Sequence, residues 1–562
     1  MKRLLYGGTV VNVFTGELEK ANVLIENEKI IGVGDYNTNE ADIIEDVTGK
    51  FICPGFIDGH IHIESTMLTP YELSRMCMCH GTTSIVADPH EIANVCGVDG
   101  IKYMMEASNG LPLNVYFMIP SCVPATSFDE SGAILEAEDI KELYNYPQVL
   151  GLAEMMNYPG VIYDNASVYA KINDALNSGK VIDGHAPCLS GKDLDKYISA
   201  GIGSDHECLN ADEAIEKIRK GQWVMIREGT AARNLLDLLP LFEAPYSHRC
   251  VLVTDDRHPT DLMRDGHIDN IIRLAAENGK SVITAIKMAT IQAAECFGIP
   301  FVGAVAPGYR ADLVVLNNLN TVDIDDVYSA GEKVVSQKET KKFKQPYVNP
   351  ALSQKVTNSF HLNELKQSDF YIEEKSKKCR VIEVVPGQLI TNEKICEINW
   401  EENNGIDLGR DILKLAVIER HKNTGHIGLG YIKGIGLKEG AIASSVSHDS
   451  HNIIVIGAND EDMTIAANHI RKSGGNIVVS KGKIIAEMPL PVAGLMTDLS
   501  GKEIAELNEK VRTSVYELGV KEEIEPFMNM AFVSLSVIPS VKMTTQGLVD
   551  VNKQERISLY CD

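Results

Sequence analysis

Cysteine is sparse in this chain, and long apolar runs are missing. There are 12 cysteines in 562 residues, and no two CxxC motifs stand at the spacing of a zinc site. That density does not fit a disulfide scaffold and predicts reduced thiols. No run reaches the roughly 18 apolar residues of a membrane span, and the first residues lack the apolar stretch of a signal peptide. We therefore expect a cytoplasmic protein with no membrane segment.

Positive charge is also in short supply. The chain has 53 Lys and Arg against 78 Asp and Glu, a formal net charge of −25. A surface this acidic repels phosphate backbones, which argues against nucleic acid as a partner, whereas a small neutral substrate meets no such penalty. Hydrophobic residues make up 44% and charged residues 23%, as in an ordinary globular protein with a sizeable core.

Eight short apolar runs lie between residues 53 and 302. They alternate with helical patterns, such as those at 98–109 and 281–298, which predicts a parallel sheet with crossover helices. Eight such units in this length match one (β/α)₈ barrel of the TIM type. The predicted strands are 54–62, 82–88, 114–121, 149–155, 180–186, 202–207, 222–229 and 249–256.

Short strands flank this region on both sides, including one predicted at 303–305. We expect the two flanks to pair with each other. After a polar and basic linker at 336–347, strands and helices are mixed. The predicted units are a small β-domain (1–52 with 303–340), a barrel (53–302) and a C-terminal α/β or α+β domain (348–562).

Side chains of metal-ligand type fall at the carboxyl ends of five predicted barrel strands. Since strand side chains alternate, two histidines at i and i+2 point to the same face. Barrel enzymes work at the carboxyl ends of their strands, so all six side chains should converge there. The predicted ligands are His60 and His62 on the first strand, Glu154 on the fourth, His185 on the fifth, His206 on the sixth and Asp255 on the eighth.

The ligand types narrow the chemistry. A lone His-x-His motif is weak evidence, but the joint pattern on five strands strongly favours metal binding. Four imidazoles and two carboxylates suit Zn(II), Fe(II) or Mn(II). Six ligands exceed the needs of one catalytic ion, so we expect two divalent ions bridged by Glu154.

Two segments resemble the amidohydrolase superfamily. Residues 54–62 (PGFIDGHIH) are similar to its first-strand signature, and residues 303–315 resemble its return into a small β-domain. The order of ligand types along the strands also matches. This resemblance implies a metal-dependent hydrolase built on a TIM-like barrel.

A closer resemblance, to adenine deaminases of the bacterial and archaeal type, covers nearly the whole chain. The similar segments are 60–65, 88–91, 120–126, 151–157, 183–187, 204–208, 227–229, 254–259, 447–452 and 488–496. Departures at Cys188 and at Leu209-Asn210 affect no predicted ligand. The resemblance implies that adenine and water are converted to hypoxanthine and ammonia.

The resemblance also implies roles in catalysis. A metal-bound hydroxide would attack C6 of adenine, and Asp255 would take its proton and pass it to the leaving amine. Either Glu91 or Glu154 would protonate N1, although a carboxylate that bridges two ions is a poor acid. Mn(II) or Fe(II) is the expected metal, with Zn(II) as the alternative.

Further polar residues at strand ends are candidate substrate contacts, and each could instead orient a ligand or hold the barrel rim. They are Ser121, Arg227, Glu228, Asp256 and Arg257. In the C-terminal region, His448 and His451 could cover the site or bind another ion, and we favour a structural or lid role. We also expect a homodimer.

Three rival hypotheses remain open. Hydantoinases, dihydropyrimidinases and isoaspartyl dipeptidases are expected to use a carboxylated lysine at strand four, where this chain has Glu154. A non-catalytic scaffold would have lost ligands, yet all six are present. A nucleoside or cytosine deaminase of the same superfamily differs in pocket shape, which only substrate profiling resolves.

Overall fold

The computed structural model describes residues 1–401 and 403–561. Eight strands form the central layer, and each predicted barrel strand contains one of them. They are β1 (Phe56–Ile61), β2 (Thr82–Ala87), β3 (Asn114–Ile119), β4 (Val149–Met155), β5 (Val181–Gly184), β6 (Ser204–Asp205), β7 (Trp223–Arg227) and β8 (Cys250–Val253).

Parallel pairing closes these strands into a barrel. Strands β1 to β5 form one parallel sheet, and β6 to β8 form another. The Gly203 N–H donates to the Ile182 carbonyl at 2.9 Å, which joins β5 to β6. The Asp255 N–H donates to the His60 carbonyl at 2.9 Å, which joins β8 to β1. The predicted (β/α)₈ barrel is confirmed.

Helices surround the barrel, and one of them differs from prediction. The helix predicted at 281–298 is two helices, because Thr290 adopts a non-helical backbone (φ −140°, ψ −97°) between them. The helices between the first and last flanking strands are Pro70–Cys79, His90–Ser108, Ala137–Ile140, Tyr158–Ile162, Ala166–Asn177, Gly191–Ser199, Ala211–Arg219, Leu235–Leu238, Pro259–Asp265, Ile268–Glu277, Val282–Met288 and Ile291–Phe297.

Strands from the two flanks pair with each other, as expected. Leu313–Asn318 pairs antiparallel with Phe51–Pro54 inside a seven-stranded sheet. The strand predicted at 303–305 is wrong, since these residues form an irregular turn with Gly303 at φ +84°. A second, four-stranded sheet is formed by the N-terminal flank. The other strands of these two sheets are Lys2–Tyr6, Thr9–Val11, Leu18–Lys20, Asn22–Glu26, Lys29–Gly34, Ile43–Asp46, Asp323–Ser329, Glu332–Ser336 and Glu339–Thr340.

The C-terminal region is built on a nine-stranded mixed sheet and a separate three-stranded sheet. Its helices are Pro350–Thr357, Asp460–Ser473, Gly501–Glu517 and Pro526–Phe532. Its strands are Lys378–Val384, Thr391–Glu397, Ile412–Ile418, Ile427–Lys433, Ala441–Ser444, Ile453–Gly457, Asn476–Ser480, Lys483–Met488, Val541–Thr544, Gly547–Asp550, Glu555–Ile557 and Tyr560–Cys561. The exact domain division proposed from the sequence stays a prediction.

Within residues 1–401 and 403–561, none of the helices combines the length and the apolar character needed to cross a membrane.

Candidate metal centre

The carboxyl ends of the barrel strands bring the six predicted ligands together. Strand β1 ends at Ile61, so His60 and His62 flank its last residue and share a face. Their Nε2 atoms lie 3.2 Å apart. Both rings are almost fully buried, at 1% and 3% exposed, so the nitrogens meet within the barrel mouth rather than in solvent.

Glu154, at the end of β4, lies at the centre of the cluster. Its Oε1 is 3.4 Å from His62 Nε2 and 3.9 Å from His60 Nε2. Its Oε2 is 2.7 Å from His185 Nδ1 and 3.3 Å from His206 Nε2. One carboxylate therefore faces two pairs of imidazoles, one pair on each oxygen.

Asp255, which follows β8, lies close to His60 and His62. Its Oδ1 lies 3.2 Å from His62 Nε2 and 3.9 Å from His60 Nε2. The residue has a left-handed backbone (φ +58°), a conformation that Asp tolerates better than most side chains. This bend turns the carboxylate into the barrel mouth.

Hydrogen bonds at the Nδ1 atoms fix the orientation of the His60 and His62 rings. His60 donates from Nδ1 to Asp183 Oδ2 at 3.1 Å, and His62 donates from Nδ1 to the Asp88 carbonyl at 3.1 Å. A proton on Nδ1 leaves the Nε2 lone pair free as a metal ligand. Both free nitrogens face the carboxylates of Glu154 and Asp255.

Contact lengths test whether the cluster fits metal ions. Ligands bound about 2.1 Å from one ion lie roughly 3.0–3.5 Å from each other. The contacts of His62 with His60, Glu154 and Asp255 fall within this range, at 3.2, 3.4 and 3.2 Å. The contact of His185 with Glu154, at 2.7 Å, is instead a direct hydrogen bond. The donor set of buried imidazoles and carboxylates fits divalent ions.

Neighbouring groups stabilise the ionised forms of the two buried carboxylates, Glu154 and Asp255. Burial by itself raises the pKa of Glu154, but hydrogen bonds from His185 and His206 hold that pKa well below its usual range. Burial also opposes ionisation of Asp255, and the Arg227 guanidinium keeps its pKa well below the ordinary value. Both carboxylates are therefore ionised at neutral pH, as metal binding requires.

Three acidic or imidazole side chains at the site were not predicted as ligands. His90 Nδ1 lies 3.1 Å from Asp88 Oδ2 and 3.7 Å from Glu154 Oε1. Glu207 Oε1 lies 3.4 Å from His206 Nε2. Asp88 directly follows β2, and Glu207 lies two residues after the end of β6. The strand-end rule that selected the other ligands could have found them.

Arg227, one of the predicted substrate contacts, donates hydrogen bonds to two carboxylates of the site. One of its terminal nitrogens lies 2.5 Å from Asp255 Oδ2 and 2.5 Å from Glu207 Oε1. Its other terminal nitrogen donates to Glu207 Oε2 at 2.8 Å. Burial opposes the charged guanidinium, but these two carboxylates raise its pKa further above the ordinary value. Arg227 thus ties the end of β7 to Asp255, the predicted ligand that follows β8.

The other four predicted contacts divide into two groups. Ser121 donates to the Glu154 carbonyl at 2.5 Å, and Asp256 accepts from Ser65, so both border the cluster. Glu228 accepts from the Leu235 N–H at 3.3 Å. Arg257 donates to the carbonyls of Glu228 and Gly266 at 2.6 and 3.1 Å. In these contacts Glu228 and Arg257 hold the backbone of the barrel rim.

Glu91 lies beside the cluster and is 2% exposed. Its carboxylate accepts hydrogen bonds from His448, at 2.7 Å, and from His451. Both histidines come from the C-terminal region, so the structure joins two distant parts of the chain at the barrel mouth.

A cavity opens next to Arg227. It has a volume of about 470 Å³ and is lined on one side by barrel loops. Leu389, Met528 and Asn529 of the C-terminal region line the other side. The size lies within the usual range of small-molecule sites.

Comparisons with known proteins identify the family. The Amidohydrolase family matches residues 51–334, and the Adenine deaminase C-terminal domain matches residues 388–555. The chain is 44% identical over 559 residues to "Adenine deaminase" of Desulfatibacillum aliphaticivorans, covering 99% of this chain and 97% of that protein.

Two further relatives match almost end to end. "Adenine deaminase 2" of Carboxydothermus hydrogenoformans is 45% identical, covering 98% of this chain and 95% of that protein. "Adenine deaminase" of Clostridium acetobutylicum is 46% identical, covering 96% and 95%. Amidohydrolases are metal-dependent, and the chain carries several groups of side chains that could hold an ion. The chain belongs to the adenine deaminase family of the amidohydrolases.

Proposed function

We propose that this protein catalyses the hydrolytic deamination of adenine to hypoxanthine and ammonia. Family membership along the full chain supports the substrate. The observation that carries the chemistry is the position of Glu154, whose two oxygens face separate pairs of imidazoles at the barrel mouth. Adenine is small and neutral, which also suits the acidic surface.

The proposed centre holds two divalent ions. His60, His62 and Asp255 would hold one, His185 and His206 the other, with Glu154 between them. Mn(II) or Fe(II) is the proposed metal, with Zn(II) as the alternative, because imidazole and carboxylate donors accept all three. When bound, such ions make a water molecule nucleophilic at neutral pH.

Proton transfer falls to the carboxylates of the chain. Asp255 is ionised and lies in the barrel mouth, so it can accept a proton from the attacking water and deliver it to the leaving amine. Arg227 orients Asp255 through the short contact to Oδ2. A carboxylate placed between two ions would be a poor acid, so we assign the ring-nitrogen contact to Glu91 rather than to Glu154. We also propose the 470 Å³ cavity beside Arg227 as the approach for the purine.

Substrate profiling on purified enzyme tests the proposal. The enzyme is loaded separately with Mn(II), Fe(II) and Zn(II), and ammonia release is measured on adenine, adenosine, cytosine, guanine and dihydrouracil. Adenine alone should react. No ammonia from adenine in any metal-loaded form would refute the proposal.

The Glu154→Gln variant tests the proposed metal centre. Removing the charge that faces both imidazole pairs should lower kcat by about 1,000-fold or more and reduce the bound metal. Glu142→Gln, at an exposed position on the outside of the barrel, is the control and should leave both unchanged. A homodimer and a cytoplasmic location remain predictions from the sequence.

A further inference from the structure

Glu91 is a buried carboxylate surrounded by three imidazoles. It lies in the first turn of the helix His90–Ser108, directly after β2. Its Oε1 is 2.7 Å from His448 Nδ1 and 3.4 Å from His90 Nε2, while its Oε2 accepts from His451 Nε2. A buried carboxylate without partners is strongly disfavoured, so these contacts are what make the position tolerable.

The two histidines from the C-terminal region are themselves held in place. The His448 N–H donates to the Ala531 carbonyl at 3.1 Å, and the His448 ring stacks on Phe532 with centroids 4.5 Å apart. The His451 N–H donates to the Ser447 carbonyl at 2.7 Å, and the Ser447 N–H donates back to His451 Nδ1 at 3.2 Å. Each ring therefore presents one fixed nitrogen to Glu91.

The contacts of Glu91 with His448 and His451 are hydrogen bonds. The 2.7 Å contact from His448 to Glu91, and the still closer one from His451, are direct donor–acceptor contacts. The trio of Glu91, His448 and His451 is a carboxylate held by two N–H donors.

The trio continues into the metal cluster through His90. His90 Nε2 faces Glu91, and its Nδ1 lies 3.7 Å from Glu154 Oε1. We propose that the C-terminal domain completes the active site, with His448 and His451 as positioning residues that hold Glu91 for the purine. This inference rests on the proposed adenine deaminase function. It gives the domain matched at residues 388–555 a role in catalysis.

Paired substitutions separate positioning from simple packing. An Asn side-chain amide can replace the Nδ1–H of a histidine, and a Gln amide can replace the Nε2–H. His448→Asn and His451→Gln therefore keep a donor to Glu91, whereas His448→Leu and His451→Leu remove it. Steady-state kinetics on adenine, metal content and Tm are measured for all four.

We expect the Leu variants to lose about 100-fold in kcat, a typical size for a misplaced acid–base group, with metal content unchanged. The Asn and Gln variants should lose about 10-fold or less. His469→Leu is the control, because His469 lies at the surface of the same domain against Glu487 and should leave kcat unchanged.

Two outcomes would overturn the inference while leaving the proposed function intact. One is wild-type kcat in both Leu variants. The other is an equal loss in the Leu and the amide variants that follows Tm, which would indicate packing alone. A wild-type enzyme inactive on adenine would instead overturn the proposed function, and this inference with it.

Discussion

Arg227 shows how a single residue can favour the ionised form of Asp255, the proposed base. Its guanidinium contacts Asp255 and Glu207 together, in a site that solvent barely reaches. Electrostatic interactions are stronger there than at the surface. The cation favours the ionised form of Asp255, which is the form that accepts a proton.

Arg227→Met should therefore shift the pH dependence of catalysis. Without the cation the pKa of Asp255 rises, so Asp255 becomes protonated over a wider acidic range. Activity needs the ionised form, and the acidic limb of kcat/KM should move upward by about one pH unit. Rates on adenine, followed from neutral pH down through the acidic limb, measure this shift.

Two further variants serve as controls for this test. Arg227→Lys keeps a positive charge and should shift the limb less. Arg249→Met removes a cation that stacks on Trp223 at the other end of the barrel and should not shift it. An unmoved acidic limb in Arg227→Met would contradict the assignment of Asp255 as the base.

At the element scale, the end of β1 positions the proposed ligands His60 and His62, and the strand also packs tightly against β8. A Cβ atom placed on Gly59 would lie 2.7 Å from Val251 Cγ1 and 3.2 Å from Val253 Cγ1. The residues on either side, Asp58 and His60, are buried polar groups of the barrel. The glycine between them lets the two strands approach each other.

Gly59→Ala should lower the free energy of unfolding by about 1–3 kcal/mol, the usual cost of overpacking a core. Val251→Ala opens space for the new methyl group. The double variant should then lose less than the two single variants summed, because the residues are in contact. Chemical denaturation of all three measures the coupling, and strict additivity would show that the clash is relieved elsewhere.

At the scale of the whole molecule, the proposed ligands come from the ends of five barrel strands. His60, Glu154 and Asp255 alone come from positions spread over almost 200 residues, on β1, β4 and after β8. Bound ions would therefore fasten the carboxyl ends of distant strands to one another. Any ligand that binds only the folded state stabilises it.

Metal removal should consequently reduce both activity and stability. Dialysis against a chelator should abolish ammonia release and lower Tm by several degrees, about what 2–3 kcal/mol of linked binding gives in a large domain. Adding back Mn(II) or Fe(II) should restore both at about two equivalents per chain, measured by elemental analysis. Full activity with less than one tenth of an equivalent bound would contradict a metal centre.

The sequence by itself determined the barrel and the places where ligands could stand. Period-two alternation and strand–helix alternation are local properties, so the eight strands and the strand-end positions of His60, His62, Glu154 and Asp255 could be predicted directly. The interruption at Thr290 and the irregular turn at 303–305 could not, because tertiary packing decides them.

Only the tertiary structure decided which of these groups meet. His448 and Glu91 are 357 residues apart in the chain, and no local pattern brings them together. Likewise, the sequence places Arg227 and Arg257 both at strand ends, yet one reaches carboxylates and the other backbone carbonyls. Burial forces each polar group to find a partner, and the identity of that partner depends on packing between distant elements.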